Sequence, residues 1–387
     1  MTTWEYTTLG WFKKNATAIS TDMNYLMDFV NALRQRKDIN NVKLPLMWND
    51  LQGKDLRSGP LGNIIKFIED EVGITFKIER ASAISGDIVL EIVSSILGND
   101  RLWNANVPKL NTLPKVFVAE LPANVRGFLS TEDVSDSKLR LFAPPLRDIA
   151  LGFLGAVLTY VNNVWDKNRK NRNEHYIYLG LSRDLWIRLS GGSAVDTLKR
   201  FNDIRELFRA VLNRVREKRG LIIDYAFIYT AAKIRQYLPS KSIREDVIRS
   251  NYYVELLTLS RAGKSQNFIV RLDTVSLNDY LVSLSKTKTA NVILGMGKLL
   301  KNWKRIAGVK RNGRELGKDL IDVLNTITED IIRFSSNNDC NEITELGHAT
   351  TLFINEWHDV LNNLANNNEN ISGALRLLAN GVGKIRC

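Results

Sequence analysis

Residues 195–219, VDTLKRFNDIRELFRAVLNRVREKR, read as one long amphipathic helix. Leu198, Phe201, Ile204, Leu207, Phe208, Val211, Leu212 and Val215 recur at intervals of three and four, which lines them along one stripe of a 3.6-residue period. The opposite side carries Lys199, Arg200, Arg205, Arg209, Arg214, Arg216, Lys218 and Arg219. A helix of this kind buries its apolar stripe against others like it. The same periodicity returns downstream over 223–238, 243–259, 268–284, 290–307, 315–334, 343–365 and 371–381. Upstream, 144–165 reads as a helix opened by Pro144-Pro145, and 175–181 as an extended segment.

The front of the chain has a different texture. Residues 18–36 and 61–72 show helical spacing, the second with Pro60 near its first turn. Residues 87–97 form a short helix with Asp87 as its N-cap. Residues 74–80 alternate apolar and polar and predict a strand, as does 116–121 between Pro114 and Pro122. The expected fold is therefore α+β and predominantly α. A mixed α/β domain spans 1–143, followed by an all-α helical bundle over 144–387. No fixed-period repeat points to a solenoid.

Charge is segregated along the chain. Residues 1–150 hold 18 basic and 18 acidic side chains, 167–318 hold 32 against 13, and 319–387 hold 4 against 10. The whole chain carries a net charge of +12. Solubility alone does not require such a division, whereas an extended polyanion makes use of it. Three stretches concentrate the excess. The densest is 298–318, KLLKNWKRIAGVKRNGRELGK, with eight Lys/Arg and one acid, Glu315. It offers Lys301, Trp303, Lys304, Arg305, Lys310, Arg311, Asn312, Arg314 and Lys318 to phosphates and bases, with a turn at Asn312-Gly313. The second is the loop run of Lys167, Arg169, Lys170 and Arg172. The third is Arg216, Lys218 and Arg219 at the end of the long helix, where the dipole also favours cations. The plainer reading of all three is solvated surface, with Trp303 in the core and the long helix's bases partly paired to Asp203, Glu206 and Glu217.

Enzymatic signatures are absent. Gly297-Lys298 lacks the leading glycine of a phosphate-binding loop, because Val292 holds that position. Glu345-x-x-His348 with Glu356, His358 and Asp359 has the residue types of a metal site, but the two histidines are ten apart and do not share a helix face. No catalytic residue, metal or cofactor is expected. Two cysteines, Cys340 and Cys387, exclude a disulfide framework and suit a reducing cytoplasm. Residues 1–14 lack the apolar core of a signal peptide, and the apolar run 149–161 is too short for a membrane span.

The neutral front, the basic helical back and the segment 249–270, with Leu259-Ser-Arg-Ala-Gly263 after an aromatic helix, resemble the large subunit of type I-A CRISPR effector (Cascade) complexes. The resemblance covers the C-terminal half and assigns no role to any single residue. It implies a non-catalytic subunit of an antiviral ribonucleoprotein, partnered by backbone subunits, guide RNA and target DNA. Such a subunit helps read a short PAM and recruits a helicase-nuclease. Two other functions fit the same residues: a viral or phage nucleoprotein coating RNA or DNA, and a nuclease with scattered carboxylates. DNA- or RNA-reading motifs are missing, so binding is expected to rest on phosphate contacts.

Overall fold

The computed structural model describes residues 7–47, 49–79, 82–106, 113–119, 121, 144–165, 174–213, 221–238, 250–261 and 268–385. The fold is α+β and predominantly α. Two compact units emerge: 1–198 with 255–274, and 199–254 with 275–387. The border expected between 143 and 144 falls inside the first unit.

In the first unit, α1 (Thr8–Thr17) lies against α7 (Leu146–Thr159). Two glycines of α7 allow the approach. A Cβ on Gly155 would collide with the backbone of Phe12, and one on Gly152 with Leu9. The next layer is a four-stranded sheet of order β3 (Tyr160–Trp165), β4 (Glu174–Leu181), β5 (Tyr253–Arg261) and β6 (Phe268–Ser276). β3 and β4 are antiparallel, pairing Trp165 with Glu174 and Tyr160 with Tyr178. Trp11 rests on Gly180 of β4, and its indole N–H donates to Glu255 Oε2 at 2.9 Å. Lys14 pairs with the same carboxylate at 3.1 Å, so this buried acid is compensated twice. Edge-to-face contacts among Trp11, Phe12, Phe117, Phe153, Tyr160 and Tyr178 fill the centre. Around it stand α2 (Met23–Arg34), α3 (Gly59–Val72), α4 (Gly86–Leu97), α5 (Asp100–Asn104), α6 (Lys115–Val118) and α8 (Arg183–Leu189). A small antiparallel pair joins β1 (Lys43–Pro45) to β2 (Ala83–Ser85).

The second unit is a helical bundle. It holds α9 (Ala194–Leu212) from Lys199 onward, α10 (Leu221–Arg235), α11 (Asn278–Thr287), α12 (Ala290–Lys301), α13 (Trp303–Ile306), α14 (Leu316–Asn337), α15 (Cys340–Ala365) and α16 (Glu369–Val382). Phe201, Ile204, Leu207, Phe208 and Val211 of α9 are buried, as their spacing predicts. α12 meets α16 closely, since a Cβ on Gly295 would press on Leu378 at 2.7 Å.

Five elements differ from the sequence expectation. Residues 116–121 contribute the helical turn α6, which follows Pro114 and is closed by the Phe117 N–H donating to the Pro114 carbonyl. Residues 74–79 form no strand; the Phe76 side chain is buried and its N–H donates to Glu69. The helix from Pro144 stops at Thr159, where the β-favouring residues of β3 begin. The helices expected over 243–259 and 268–284 are replaced, where described, by β5, by β6 and by the shorter α11. The region after 143 is thus not all-α. Asp87 lies inside the first turn of α4 rather than at its N-cap, which is Ser85. Cys340 is disulfide-bonded.

Candidate nucleic-acid interface

Residues 298–318 fold within the second unit as the end of α12, the single turn α13, and a hairpin of β7 (Lys310–Arg311) and β8 (Arg314–Glu315) leading into α14. Asn312 (φ 50) and Gly313 (φ 78) form the two-residue turn. Positive φ at both positions is the type I′ geometry for which Asn-Gly is the preferred pair. The hairpin register sets Arg311 directly opposite Arg314, a like-charge pair that repels unless countered.

The counter-charges come from the acidic C-terminal helices. Arg311 Nη2 lies 3.4 Å from Asp359, and its Nη1 donates to the Glu356 carbonyl at 2.9 Å. Arg314 pairs with Glu356 and, at 2.9 Å, with Asp319. Asp319 also accepts the indole N–H of Trp357. Both arginines are therefore spent on holding the hairpin to α14 and α15.

Lys301 is drawn inward as well. Its ammonium pairs with Asp203 of α9 and lies 3.0 Å from the Tyr229 hydroxyl, while Lys233 binds the other Asp203 oxygen at 2.9 Å. Burial alone would raise Asp203, but the two lysines hold its carboxyl down at about 2. Burial lowers the Lys301 ammonium, against the pull of Asp203. Trp303 is half-buried. Its ring edge packs on the first turn of α14, where a Cβ on Gly317 would sit 2.9 Å from Cη2.

What remains outward is Lys304, Arg305, Lys310 and Lys318, with Asn312 at the hairpin tip; all five are exposed. Among the described residues none of the four cations forms an ion pair. Lys167, Arg169, Lys170 and Arg172 lie outside the described residues, as do Arg216, Lys218 and Arg219. The basic face of α9 is more internal than its sequence suggests. Arg205 is 1% exposed and pairs with Glu206, Arg209 shares that carboxylate at 3.1 Å, and Arg200 lies over the Tyr237 ring at 4.5 Å. Glu206 is a partner that spacing anticipated; Asp203 instead serves lysines from two other helices, which no local pattern signals.

The first unit contains an open cleft of about 570 Å³ lined by Arg34, Arg36, Lys37, Ile39, Asn40, Asp87 and Glu91. Arg36 donates to Asp38 and the Val157 carbonyl, and Arg34 to the Leu90 carbonyl. Its arginines thus serve the fold, and two carboxylates offset what charge is left. His348 and His358 are exposed and belong to no metal-type group among the described residues. In the described residues no helix is long and apolar enough to cross a membrane. No protein-family model, curated protein or solved structure matches the chain.

Proposed function

We propose that this chain binds nucleic acid through its phosphates without cutting it. The observation that carries the reading is the set Lys304, Arg305, Lys310 and Lys318: four exposed cations within fifteen residues, in a chain of net charge +12. Lysine and arginine donors of this kind position a phosphate backbone and carry no base code of their own. In the guide-RNA complex that the sequence resemblance implies, the same surface faces target DNA or guide RNA, beside other protein subunits.

The test is a binding titration of the full chain against duplex DNA and single-stranded RNA at about 50 and 200 mM salt. Replacing all four residues by Ala should weaken binding and reduce the salt slope on duplex DNA by roughly 3 to 4, close to one per phosphate contact. A slope unchanged in a folded quadruple variant overturns the assignment. Cleavage of labelled nucleic acid on adding a divalent metal would return the chain to the nucleases.

A further inference from the structure

α14 and α15 are joined by a tight corner. Asn338 (φ 56) closes α14 in the left-handed conformation, and the Asp339 side chain caps α15 by accepting the Asn341 N–H at 3.0 Å. Three carboxylates face one another across this corner. Glu342 and Glu345 stand three residues apart on one side of α15, and Asp330 comes from α14. Their ligand oxygens all lie within 4.8 Å of one another. Asp330 is 3% exposed. Its Oδ2 and the Oε2 of Glu342 are buried with no hydrogen-bond partner. The cation beside them is Arg333, whose Nη1 is 3.6 Å from Glu342 Oε2, too long for a hydrogen bond. Its Nη2 leans toward Glu329 at 3.5 Å.

Three acids against one shared guanidinium leave the corner short of positive charge, and a buried carboxylate oxygen without a donor is costly. We propose that Asp330, Glu342 and Glu345 bind one hard divalent cation, which clamps α14 to α15. Oxygens bound to a common cation at about 2.1–2.5 Å lie no further apart than roughly 5 Å, as these do. The donors are all oxygen, with no thiolate or imidazole among them, which selects Mg²⁺, Mn²⁺ or Ca²⁺ over the softer metals. Asp330 supplies the buried anchor. The exposed Glu345 marks the open side, where water completes the coordination. The sequence carries a partial sign in Glu342-x-x-Glu345; Asp330 is brought to them only by the packing of two helices.

Mn²⁺ is the probe. Titrated into the metal-free full chain and followed by the loss of the free-ion paramagnetic resonance signal, it should bind one ion per chain. Adding it should raise the melting temperature relative to chelator, as any ligand of the native state alone does. Asp330→Asn should weaken binding by more than about tenfold, the lower limit seen even for changes behind the ligands. This variant removes a buried charge, so its melting temperature in chelator should equal or exceed that of the unaltered chain, which confirms that it is folded. Glu345→Gln, at an exposed position, provides a second variant that leaves the core intact. Loss of Mn²⁺ binding in both supports the site. Absence of stoichiometric binding, or equal binding by chain and variants, overturns it and leaves a shared proton as the occupant of the corner. The four-alanine variant of the phosphate-binding surface should bind Mn²⁺ unchanged, so the two proposals fail separately.

Discussion

Asp203 and Asp330 are both acids of the second unit, yet they respond to pH with opposite signs. Asp203 sits between Lys233 and Lys301, with the Tyr229 hydroxyl at its edge. Its folded carboxyl titrates at about 2, below the usual 3.8. The native state therefore releases this proton more readily than the unfolded chain. The resulting stability is present above about pH 4 and is lost as pH falls toward 2. Asp203→Asn should remove that acid dependence. At neutral pH it should cost about 2–4 kcal/mol, because two partly buried ammonium groups lose their anion. Urea unfolding at pH 3 and pH 7 measures both effects, and a variant as stable as the parent at pH 7 would refute the pairing. For Asp330, burial and then Glu342 and Glu345, with Glu329 beyond, push the carboxyl up to about 7 against the pull of Arg333. Here the native state holds the proton longer, so stability is full below pH 4 and declines as pH rises through 7. In chelator, Asp330→Asn should stabilise the chain by on the order of 1–3 kcal/mol at pH 8 and by little at pH 4. Melting curves at the two pH values decide it; an equal effect at both would show that the carboxyl is not perturbed.

Elements differ in how plainly the sequence declares them. The helices α14, α15 and α16 could be read directly, because each buries one stripe and leaves the rest in water. The strands β5 and β6 could not. β5 lies inside its sheet and is buried over Val254–Leu257, Glu255 included, so its polar residues do not alternate with its apolar ones. In β6 the buried residues are Phe268 and Leu272. An interval of four satisfies both a strand period of two and a helix period of 3.6, so pattern alone cannot separate them. The segment 249–270 that carries the sequence resemblance includes β5, the first three residues of β6 and no helix among its described residues. The hairpin β7–β8 was legible only at its turn. Asn312-Gly313 announces a reversal, but the two-residue strands are set by the acids they dock on. Gly313 has φ 78 with nothing within 4 Å of an added Cβ, so Gly313→Ala should cost about 1 kcal/mol through backbone conformation alone. Asn312→Gly, at φ 50, should be nearly neutral. A loss from Gly313→Ala much above that figure would mean that the hairpin is also held by contacts at its tip.

Over the whole molecule, the sequence shows where cations are plentiful and hides which of them are already neutralised. Within 298–318 the separation is made by tertiary packing. Lys301 goes to Asp203, Arg311 to Asp359, and Arg314 to Asp319 and Glu356, while Lys304, Arg305, Lys310 and Lys318 stay in water. The mildly acidic C-terminal region is thus the internal counter-charge for part of the basic stretch, through contacts between residues 42, 45 and 48 apart in the chain. Counting Lys and Arg by segment overstates the charge available to a polyanion. The division yields a test in which two neighbouring sets of cations behave in opposite ways. Arg311→Ala with Arg314→Ala releases the hairpin and leaves Asp319, Glu356 and Asp359 without their arginine partners. The pairs are partly exposed but networked, so the double variant should lose about 1 kcal/mol of stability. Its salt slope for duplex DNA should remain within about one of the parent's, since neither arginine was counted as a phosphate contact. The four-alanine variant at Lys304, Arg305, Lys310 and Lys318 should do the reverse, holding its melting temperature while its slope collapses. If the arginine variant loses the larger share of the slope, the docked hairpin is itself the phosphate-binding element, and its acids are displaced when nucleic acid binds.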